Sequence, residues 1–294
     1  MPMAADFPPV EGVEHRFVDA NGIRVHVAEA GPSGSTAPPI LLLHGWPQHW
    51  YMWREVIAGL RSGHRLLAPD LRGFGWTEAP GHGYDGETFA ADQVALLDAL
   101  GIERAFVAGH DWGGWTAMLL GLLHPDRVER MIVCNAPHPW PQLSLRLAAE
   151  AWRSWYTWVL ATPGLGRRSL EHGWIARSIL THGNVGSPFS DTEIELYVGS
   201  FREPARADAI VHLYRYYQRA FREGLARRRR DARLTVPTLI LFGERDRYVS
   251  PRLLAGHEPH ADEMRVELVP DSGHFVVNEK PELVIERARE FLAG

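Results

Sequence analysis

The five residues Gly109-His110-Asp111-Trp112-Gly113 place one carboxylate between two glycines, where a predicted strand meets a predicted helix. A sharp strand-to-helix turn leaves no room for a Cβ atom beside its central residue, which explains the glycines. Such a turn lifts the Asp111 side chain towards a helix N-terminus, whose free N–H groups stabilise negative charge. The pattern predicts Asp111 as a nucleophile, although an aspartate that caps a helix would explain the pentapeptide alone equally well.

Two other polar residues also follow predicted strands. Asp246 comes after the apolar residues 236–242, and His274 comes after residues 265–269. In a parallel sheet the carboxyl ends of the strands share one edge, so Asp111, Asp246 and His274 can converge. Each residue alone has a simpler structural explanation, but their positions and their order predict a catalytic triad of nucleophile, acid and histidine.

An aspartate nucleophile implies a particular chemistry. A carboxylate needs no deprotonation at neutral pH, and it suits displacement at a saturated carbon with formation of an alkyl-enzyme ester. His274, oriented by Asp246, would then draw a proton from a water molecule that attacks the ester carbonyl. The backbone N–H groups of Trp46 and Trp112 are predicted to hold the resulting oxyanion. This predicts hydrolysis of epoxides or carbon–halogen bonds and disfavours ordinary esterase activity.

The elements that must position these residues alternate between strand and helix after an opening β-hairpin around Asn21-Gly22. Further strands are predicted at residues 40–43, 64–68, 105–108 and 128–134, and helices at 50–60, 87–100 and 281–292. This order predicts an α/β fold with a mostly parallel sheet of about eight strands and helices on both faces. Pro47 follows the strand at 40–43, makes a cis peptide bond with Trp46 plausible, and is expected to contact substrate.

The alternation stops after residue 136. Residues 137–231 lack clear strands and are rich in tryptophan. One apolar helical face is formed by Ile210, Leu213, Tyr214, Tyr217 and Phe221. We interpret this segment as a helical cap inserted between two parts of the core, 1–136 and 232–294. The arginine run at 227–230 is predicted to lie on the solvated return from the cap to the core.

Composition limits the function classes. The 294 residues carry a net charge of −5, so no general attraction to nucleic acid or an anionic membrane is expected. A single cysteine, Cys134, cannot form an internal disulfide, and the chain shows no signal-peptide pattern. We expect a cytoplasmic protein without metal or cofactor, whose partners are a small-molecule substrate and water. A homodimer is left open.

Asp70 and Arg72 lie in a turn after the strand at 64–68 and have the residue types of a catalytic pair. We predict a structural role for them instead, in a loop held by a local ion pair and by side-chain-to-backbone hydrogen bonds.

Five segments together resemble the α/β-hydrolase family over nearly the full length of the chain, and soluble epoxide hydrolases in particular. They are His44-Gly45-Trp46-Pro47, Asp70-Leu71-Arg72-Gly73-Phe74-Gly75, Gly109-His110-Asp111-Trp112-Gly113-Gly114, Gly243-Glu244-Arg245-Asp246 and Gly273-His274-Phe275. The resemblance implies the α/β-hydrolase fold, with conversion of an epoxide to a vicinal diol through an ester on Asp111.

The resemblance to epoxide hydrolases extends to two segments of the cap. These enzymes use two cap tyrosines to protonate the epoxide oxygen, which is too basic to leave unprotonated. Ser154-Trp155-Tyr156-Thr157-Trp158 and Leu213-Tyr214-Arg215-Tyr216 resemble the two tyrosine segments, which implies Tyr156 and Tyr214 as acids. Tyr217 is a rival donor and, like Trp112, an expected substrate contact. It shares the apolar face of Tyr214, so simple packing also explains these tyrosines.

Two alternatives remain open from the sequence. A haloalkane dehalogenase would use the same triad, because a halide leaves without a proton and Trp112 is placed to offer its indole N–H. A receptor or an inactive scaffold would keep the fold without turnover, but the complete triad argues against that interpretation.

Overall fold

The computed structural model describes residues 7–34, 37–142, 144–186, 188–222, 229 and 231–293, with the side chains of Phe221 and Arg222 outside the description. Its strands are β1 (Val13–Ala20), β2 (Ile23–Ala30), β3 (Ile40–Leu43), β4 (Leu66–Pro69), β5 (Ala105–His110), β6 (Val128–Cys134), β7 (Thr238–Gly243) and β8 (Met264–Val269). They form one eight-stranded sheet in the order β1-β2-β4-β3-β5-β6-β7-β8.

The hairpin at the start of the sheet forms as predicted. Strands β1 and β2 pair antiparallel with Ala20 opposite Ile23, so a two-residue turn connects them. Asn21 and Gly22 both have positive φ angles, 47° and 75°, as a type I′ turn requires. Strand β2 is antiparallel to β4, and all remaining pairs are parallel. The mostly parallel eight-stranded sheet is therefore confirmed.

Helices cover this sheet and bury its central strands. They are α1 (Arg54–Leu60), α2 (Gly86–Ala99), α3 (Trp112–Leu123), α4 (Leu145–Ala149), α5 (Trp155–Ala161), α6 (Leu165–Glu171), α7 (Trp174–His182), α8 (Asp191–Gly199), α9 (Pro204–Arg222), α10 (Val276–Glu279) and α11 (Pro281–Leu292). Every residue of β3 and β7 is buried, so both faces of the sheet centre are covered.

Two predicted boundaries are shifted by local hydrogen bonds. The segment predicted as a helix from Trp50 begins as a 3₁₀ turn, Trp50–Trp53, and becomes α-helical at Arg54. The strand predicted from His64 begins at Leu66 instead. The backbone N–H of His64 still donates to the carbonyl of Leu60, which keeps His64 in the turn that follows α1.

Helices α4 to α9 lie between β6 and β7, where the sequence predicts a cap. The apolar face of α9 is buried at Ile210, Leu213 and Tyr214, while the side chain of Phe221 lies outside the description. Among the residues that the structure covers, no helix combines the length and apolarity needed to cross a membrane. The boundaries of the cap at residues 137 and 231 stay a prediction.

The predicted solvated return is wrong at Arg229. This side chain is buried and forms an ion pair with Glu87 of α2 at 2.5 Å. The backbone carbonyl of Arg229 also accepts a hydrogen bond from the indole N–H of Trp140 at 2.8 Å. The carboxylate of Glu87 compensates the charge of the buried guanidinium. Arg227, Arg228 and Arg230 lie outside the described residues.

Asp70 and Arg72 are both buried, but they do not pair with each other. Asp70 accepts a hydrogen bond from the His26 ring at 2.8 Å and others from backbone N–H groups, including that of Trp50 at 2.9 Å. Arg72 instead donates twice to Asp92 of α2, at 2.8 and 2.6 Å. The structural role and the side-chain-to-backbone bonds are confirmed. The predicted local pair is wrong, because each group has a partner from another element.

Candidate active site

A strained turn presents Asp111 at the end of β5. Asp111 has φ 50°, and α3 begins at the next residue, Trp112. A Cβ atom on Gly109 would lie 2.3 Å from the carbonyl oxygen of Gly113. A Cβ atom on Gly113 would lie 2.1 Å from the carbonyl oxygen of Leu43 in β3. Glycine is therefore required on both sides, and the positive φ of Asp111 costs on the order of 1–3 kcal/mol that the surrounding structure must offset.

The two carboxylate oxygens of Asp111 face different partners. Oδ2 accepts a hydrogen bond from the backbone N–H of Trp46 at 3.0 Å, and the backbone N–H of Trp112 also stabilises the carboxylate. Oδ1 lies 3.9 Å from Nε2 of His274. The two N–H groups predicted as oxyanion donors thus meet at the carboxylate that would form the ester.

The loop that follows β3 shapes this donor pair. The peptide bond between Trp46 and Pro47 is cis, and Pro47 is buried. A Cβ atom on Gly45 would lie 2.7 Å from Oδ2 of Asp111, so only glycine lets this loop approach the carboxylate so closely. The substrate contact expected of Pro47 stays a prediction.

His274 and Asp246 form the second half of the predicted triad. Nδ1 of His274 donates to Oδ2 of Asp246 at 2.8 Å, and both side chains are buried. Oδ1 of Asp246 accepts the backbone N–H groups of Tyr248 and Val249 at 2.8 and 3.0 Å. Burial would raise the pKa of Asp246, but His274 and these donors lower it, so the carboxylate stays charged. The structure brings Asp111, His274 and Asp246 together in the predicted arrangement.

Asn135 is a residue of this site that the sequence analysis did not single out. It follows β6, and its side-chain amide donates to Oδ2 of Asp246 at 2.8 Å and to the carbonyl of Gly273 at 3.1 Å. It therefore fixes both the acid and the loop that carries His274. The available signal was its position, since it follows a parallel strand at the edge where Asp111 and Asp246 lie.

The charges of the triad act on each other. Burial raises the pKa of Asp111 to about 6. Burial alone would lower the pKa of His274, but the carboxylates of Asp246 and Asp111 raise it to about 9. The resting site therefore holds an imidazolium between two carboxylates. His110 is neutral by contrast, since burial lowers its pKa to about 3, and its Nε2–H donates to the carbonyl of His274 at 2.8 Å.

Three cap tyrosines gather beside the two oxyanion residues. The ring of Tyr156, on α5, stacks on Trp46 with centroids 6.0 Å apart. Tyr214, on α9, contacts the rings of Trp46, Trp112 and Tyr156 at 5.6, 5.8 and 5.9 Å. Tyr217 lies 6.0 Å from the Trp112 ring. The three tyrosines named from the sequence thus share one aromatic cluster.

The hydroxyl groups of this cluster have different partners. The hydroxyl of Tyr214 interacts with the side chains of Trp112 and Tyr156, whereas that of Tyr217 interacts with Ser154 within the cap. Burial raises the pKa of Tyr156 and Tyr214 well above the ordinary value, and the charge of Asp111 adds to this effect. Both phenols are therefore protonated at neutral pH.

A further aromatic residue, Tyr248, stands between the triad and the cap. Its ring is 5.7 Å from that of His274, at 90°, and 5.4 Å from that of Tyr156. It lines a cavity of about 440 Å³ together with Asp246, Arg153 and Trp155. Among the described residues, no group of three or more histidine, cysteine or acidic side chains is arranged to hold a metal ion.

The fold and the site define an α/β hydrolase. The family described as "alpha/beta hydrolase fold" matches residues 38–281, and the chain belongs to this family. It is a hydrolase enzyme, and its resemblance to epoxide hydrolases is confirmed by individual proteins.

Three similar proteins illustrate this relationship. The chain is 31% identical over 291 residues to the AB hydrolase superfamily protein YfhM of Bacillus subtilis, covering 96% of this chain and 99% of that protein. It is 32% identical over 284 residues to Epoxide hydrolase 3 of Xenopus tropicalis, covering 92% and 75%. The solved structure of the epoxide hydrolase CorEH has a TM-score of 0.82 and 30% identity, covering 96% and 99%.

Proposed function

We propose that this hydrolase converts epoxides to vicinal diols through a covalent ester on Asp111. The observation that carries the proposal is the cluster in which the hydroxyl of Tyr214 meets Tyr156 and Trp112, next to the donors that bind Asp111. A nucleophilic carboxylate cannot protonate its own leaving group. Buried phenols beside it supply the acid that epoxide opening requires.

The first step forms the ester. Oδ1 of Asp111 is the attacking atom, because Oδ2 is occupied by the N–H group of Trp46. It bonds to an epoxide carbon, the C–O bond breaks, and the electron pair moves to the epoxide oxygen. That oxygen takes a proton from Tyr156 or Tyr214. Although burial raises the pKa of both phenols, an alkoxide is far more basic, so proton transfer remains favourable.

The second step hydrolyses the ester. Esterification removes the charge of Asp111, one of the carboxylates that raise the pKa of His274, so the imidazolium can release its proton. Solvent carries this proton to the tyrosinate left by the first step, which restores the phenol. Nε2 of His274 then takes a proton from water, and the hydroxide adds to Cγ of Asp111. The oxyanion develops on Oδ2, where Trp46 and Trp112 hold it. Collapse breaks the bond between Cγ and Oδ1, and the departing alkoxide takes the proton from His274. The carboxylic acid of Asp111 then passes its proton to His274, which restores the resting carboxylate and imidazolium.

One contact favours an epoxide over a halide as the leaving group. A dehalogenase would use the indole N–H of Trp112 to bind the halide. Here the Trp112 side chain lies against Tyr214, with ring centroids 5.8 Å apart, and interacts with its hydroxyl group. This contact supports the assignment as an epoxide hydrolase, and the haloalkane dehalogenase is the alternative that the experiment must exclude.

The test is turnover by the purified full-length chain of an aryl epoxide of the styrene oxide type and of a bromoalkane. Diol is followed by chromatography and bromide by ion chromatography in the same samples. Diol production that is lost in Asp111→Asn supports the proposal. Bromide release without diol would assign the protein to the dehalogenases. Absence of turnover of either substrate would contradict both assignments, epoxide hydrolase and haloalkane dehalogenase.

A further inference from the structure

The loop that carries His274 is bonded directly to the cap. The backbone N–H of His274 donates to the carbonyl of Gly183 at 2.7 Å, and Gly183 is the residue after α7. A Cβ atom on Gly183 would lie 2.5 Å from the ring of Tyr248 and 2.8 Å from the ring of Phe275. The cap segment therefore lies against the candidate base without room for any side chain.

Glu279, at the end of α10, strengthens the same junction. Its Oε2 accepts the backbone N–H of Gly273 at 2.9 Å and that of Val185, in the cap, at 2.7 Å. Its Oε1 accepts the backbone N–H of Phe275 at 3.0 Å. One half-buried carboxylate therefore binds both neighbours of His274 in the sequence and the cap segment beside them. Hydrogen bonds to a charged acceptor are stronger than neutral ones.

The adjacent residue ties the same short helix to the oxyanion loop. The Asn278 side chain accepts a hydrogen bond from Gln48 at 3.1 Å and donates to the carbonyl of Met52 at 3.0 Å. Gln48 lies two residues after Trp46, which donates to Asp111. Two residues of α10, Asn278 and Glu279, thus connect the cap, the loop of His274 and the loop that binds the nucleophile.

We propose that Glu279 is a positioning residue for ester hydrolysis, which holds the loop of His274 in register with the cap. The inference rests on the proposed function, since it assigns Glu279 to the second of the two steps. His274 takes no part in the attack of Asp111 on an epoxide carbon. Loss of Glu279 should therefore spare formation of the alkyl-enzyme and slow its hydrolysis.

The charge of Glu279 gives a second readout. His274 faces Asp246, Asp111, Glu279, His110 and Tyr248, and Glu279 is one of the carboxylates that raise its pKa. His274 must be neutral to act as a base. Removing the negative charge should lower the pKa of His274 and move the acidic limb of ester hydrolysis, below which His274 is protonated, to lower pH. A loss of stability alone would not move this limb.

The experiment compares Glu279→Gln and Glu279→Ala with the wild type in rapid-quench measurements of alkylation and ester hydrolysis with an aryl epoxide. Glu282→Gln is the matched control, because Glu282 is exposed and lies three residues along the chain. Hydrolysis is expected to slow by about tenfold or more in both Glu279 variants, as for loss of hydrogen bonds to a charged group. Alkylation should stay within about threefold of the wild type, so that alkyl-enzyme accumulates. The Glu282→Gln variant should match the wild type in both steps.

A second variant acts from the other side of the junction. Gly183→Ala should give the same selective loss, because its methyl group pushes the cap segment away from Phe275 and Tyr248. Equal slowing of both steps with an unmoved pH limb would overturn the inference, as would unchanged hydrolysis in Glu279→Ala. If the wild type itself forms no alkyl-enzyme, the proposed function fails. The inference is then judged by NMR titration of His274, whose pKa must fall in Glu279→Gln and stay constant in Glu282→Gln.

Discussion

The backbone N–H of Trp46 and the carboxylate of Asp111 are joined by a hydrogen bond of 3.0 Å that ends on one oxygen, Oδ2. The other oxygen, Oδ1, is the one that lies 3.9 Å from the His274 ring. The site is therefore divided before any substrate binds: Oδ2 occupies the position of a future oxyanion, and Oδ1 is available for attack. This division fixes the fate of each oxygen atom in the proposed reaction.

The first prediction follows these atoms. A single turnover of epoxide in water enriched in oxygen-18 should leave the label in the carboxylate of Asp111, because water attacks Cγ and Oδ1 departs with the diol. Mass spectrometry of the peptide that contains Asp111 measures the incorporation. Incubation in the same oxygen-18 water without epoxide is the control and should leave this peptide unlabelled. Label that enters the diol directly, with none in the protein, would mean that water attacks the substrate itself.

The second prediction separates the two steps. In His274→Gln, alkylation should proceed while ester hydrolysis stalls, so the intact protein should gain the mass of one substrate molecule. Exposed His172, in the cap, offers a matched control, and His172→Gln should show no adduct at steady state. An unmodified His274→Gln protein after long incubation would count against His274 as the hydrolytic base.

Asp246→Asn should slow the same step by on the order of 10²-fold or more, because it removes the group that orients the imidazole.

The third prediction concerns pH. Burial raises the pKa of Asp111 to about 6, so its carboxylate is charged above that pH and protonated below it. Alkylation should therefore decline as the pH falls through about 6. His274 has a pKa of about 9 while both carboxylates are charged, and this value should fall when Asp111 becomes an ester.

NMR titration can check the coupling between these two groups directly. Asp111→Asn removes the same charge as esterification, so the pKa of His274 should be lower in this variant than in the wild type. Rapid-quench measurement of alkylation between pH 5 and 8 follows the limb assigned to Asp111. A pKa of His274 that is unchanged in Asp111→Asn would disprove the coupling.

The sequence predicted the parts of this molecule that are specified locally. Strand β3 could be recognised because all of its residues are apolar, and in the structure all of them are buried. The turn at Asp111 could be recognised because the close contacts at Gly109 and Gly113 permit no other residue. Convergence of the triad followed from the shared edge of parallel strands.

Other features depend on packing between distant elements and could not be read from local pattern. Arg72 pairs with Asp92 of α2, but the sequence pattern does not distinguish Asp92 from other carboxylates as its partner. Asn135 looks in sequence like any turn residue after a strand. The separate roles of Tyr214 and Tyr217 depend on the rotation of α9, which decides that one hydroxyl meets Trp112 and the other meets Ser154.

The last prediction tests Tyr156 and Tyr214 as the acids. Each single Tyr→Phe change should slow epoxide opening, and the double change should remove the general-acid contribution, which is roughly 10²–10⁴-fold. Hydrolysis of an ester already formed should change little, since that step needs no acid for the epoxide oxygen. Rapid-quench measurement of alkylation and of ester hydrolysis in the same variants separates the two steps.

Tyr217→Phe is the matched comparison, because its ring also contacts Trp112 while its hydroxyl interacts with Ser154. It removes one buried phenol from the same cluster without removing a proposed donor, so alkylation should stay close to the wild-type rate. If Tyr217→Phe instead slows ring opening as much as Tyr214→Phe, the second acid is Tyr217. If the double variant of Tyr156 and Tyr214 opens epoxides at the wild-type rate, the assignment of these two residues as acids is wrong.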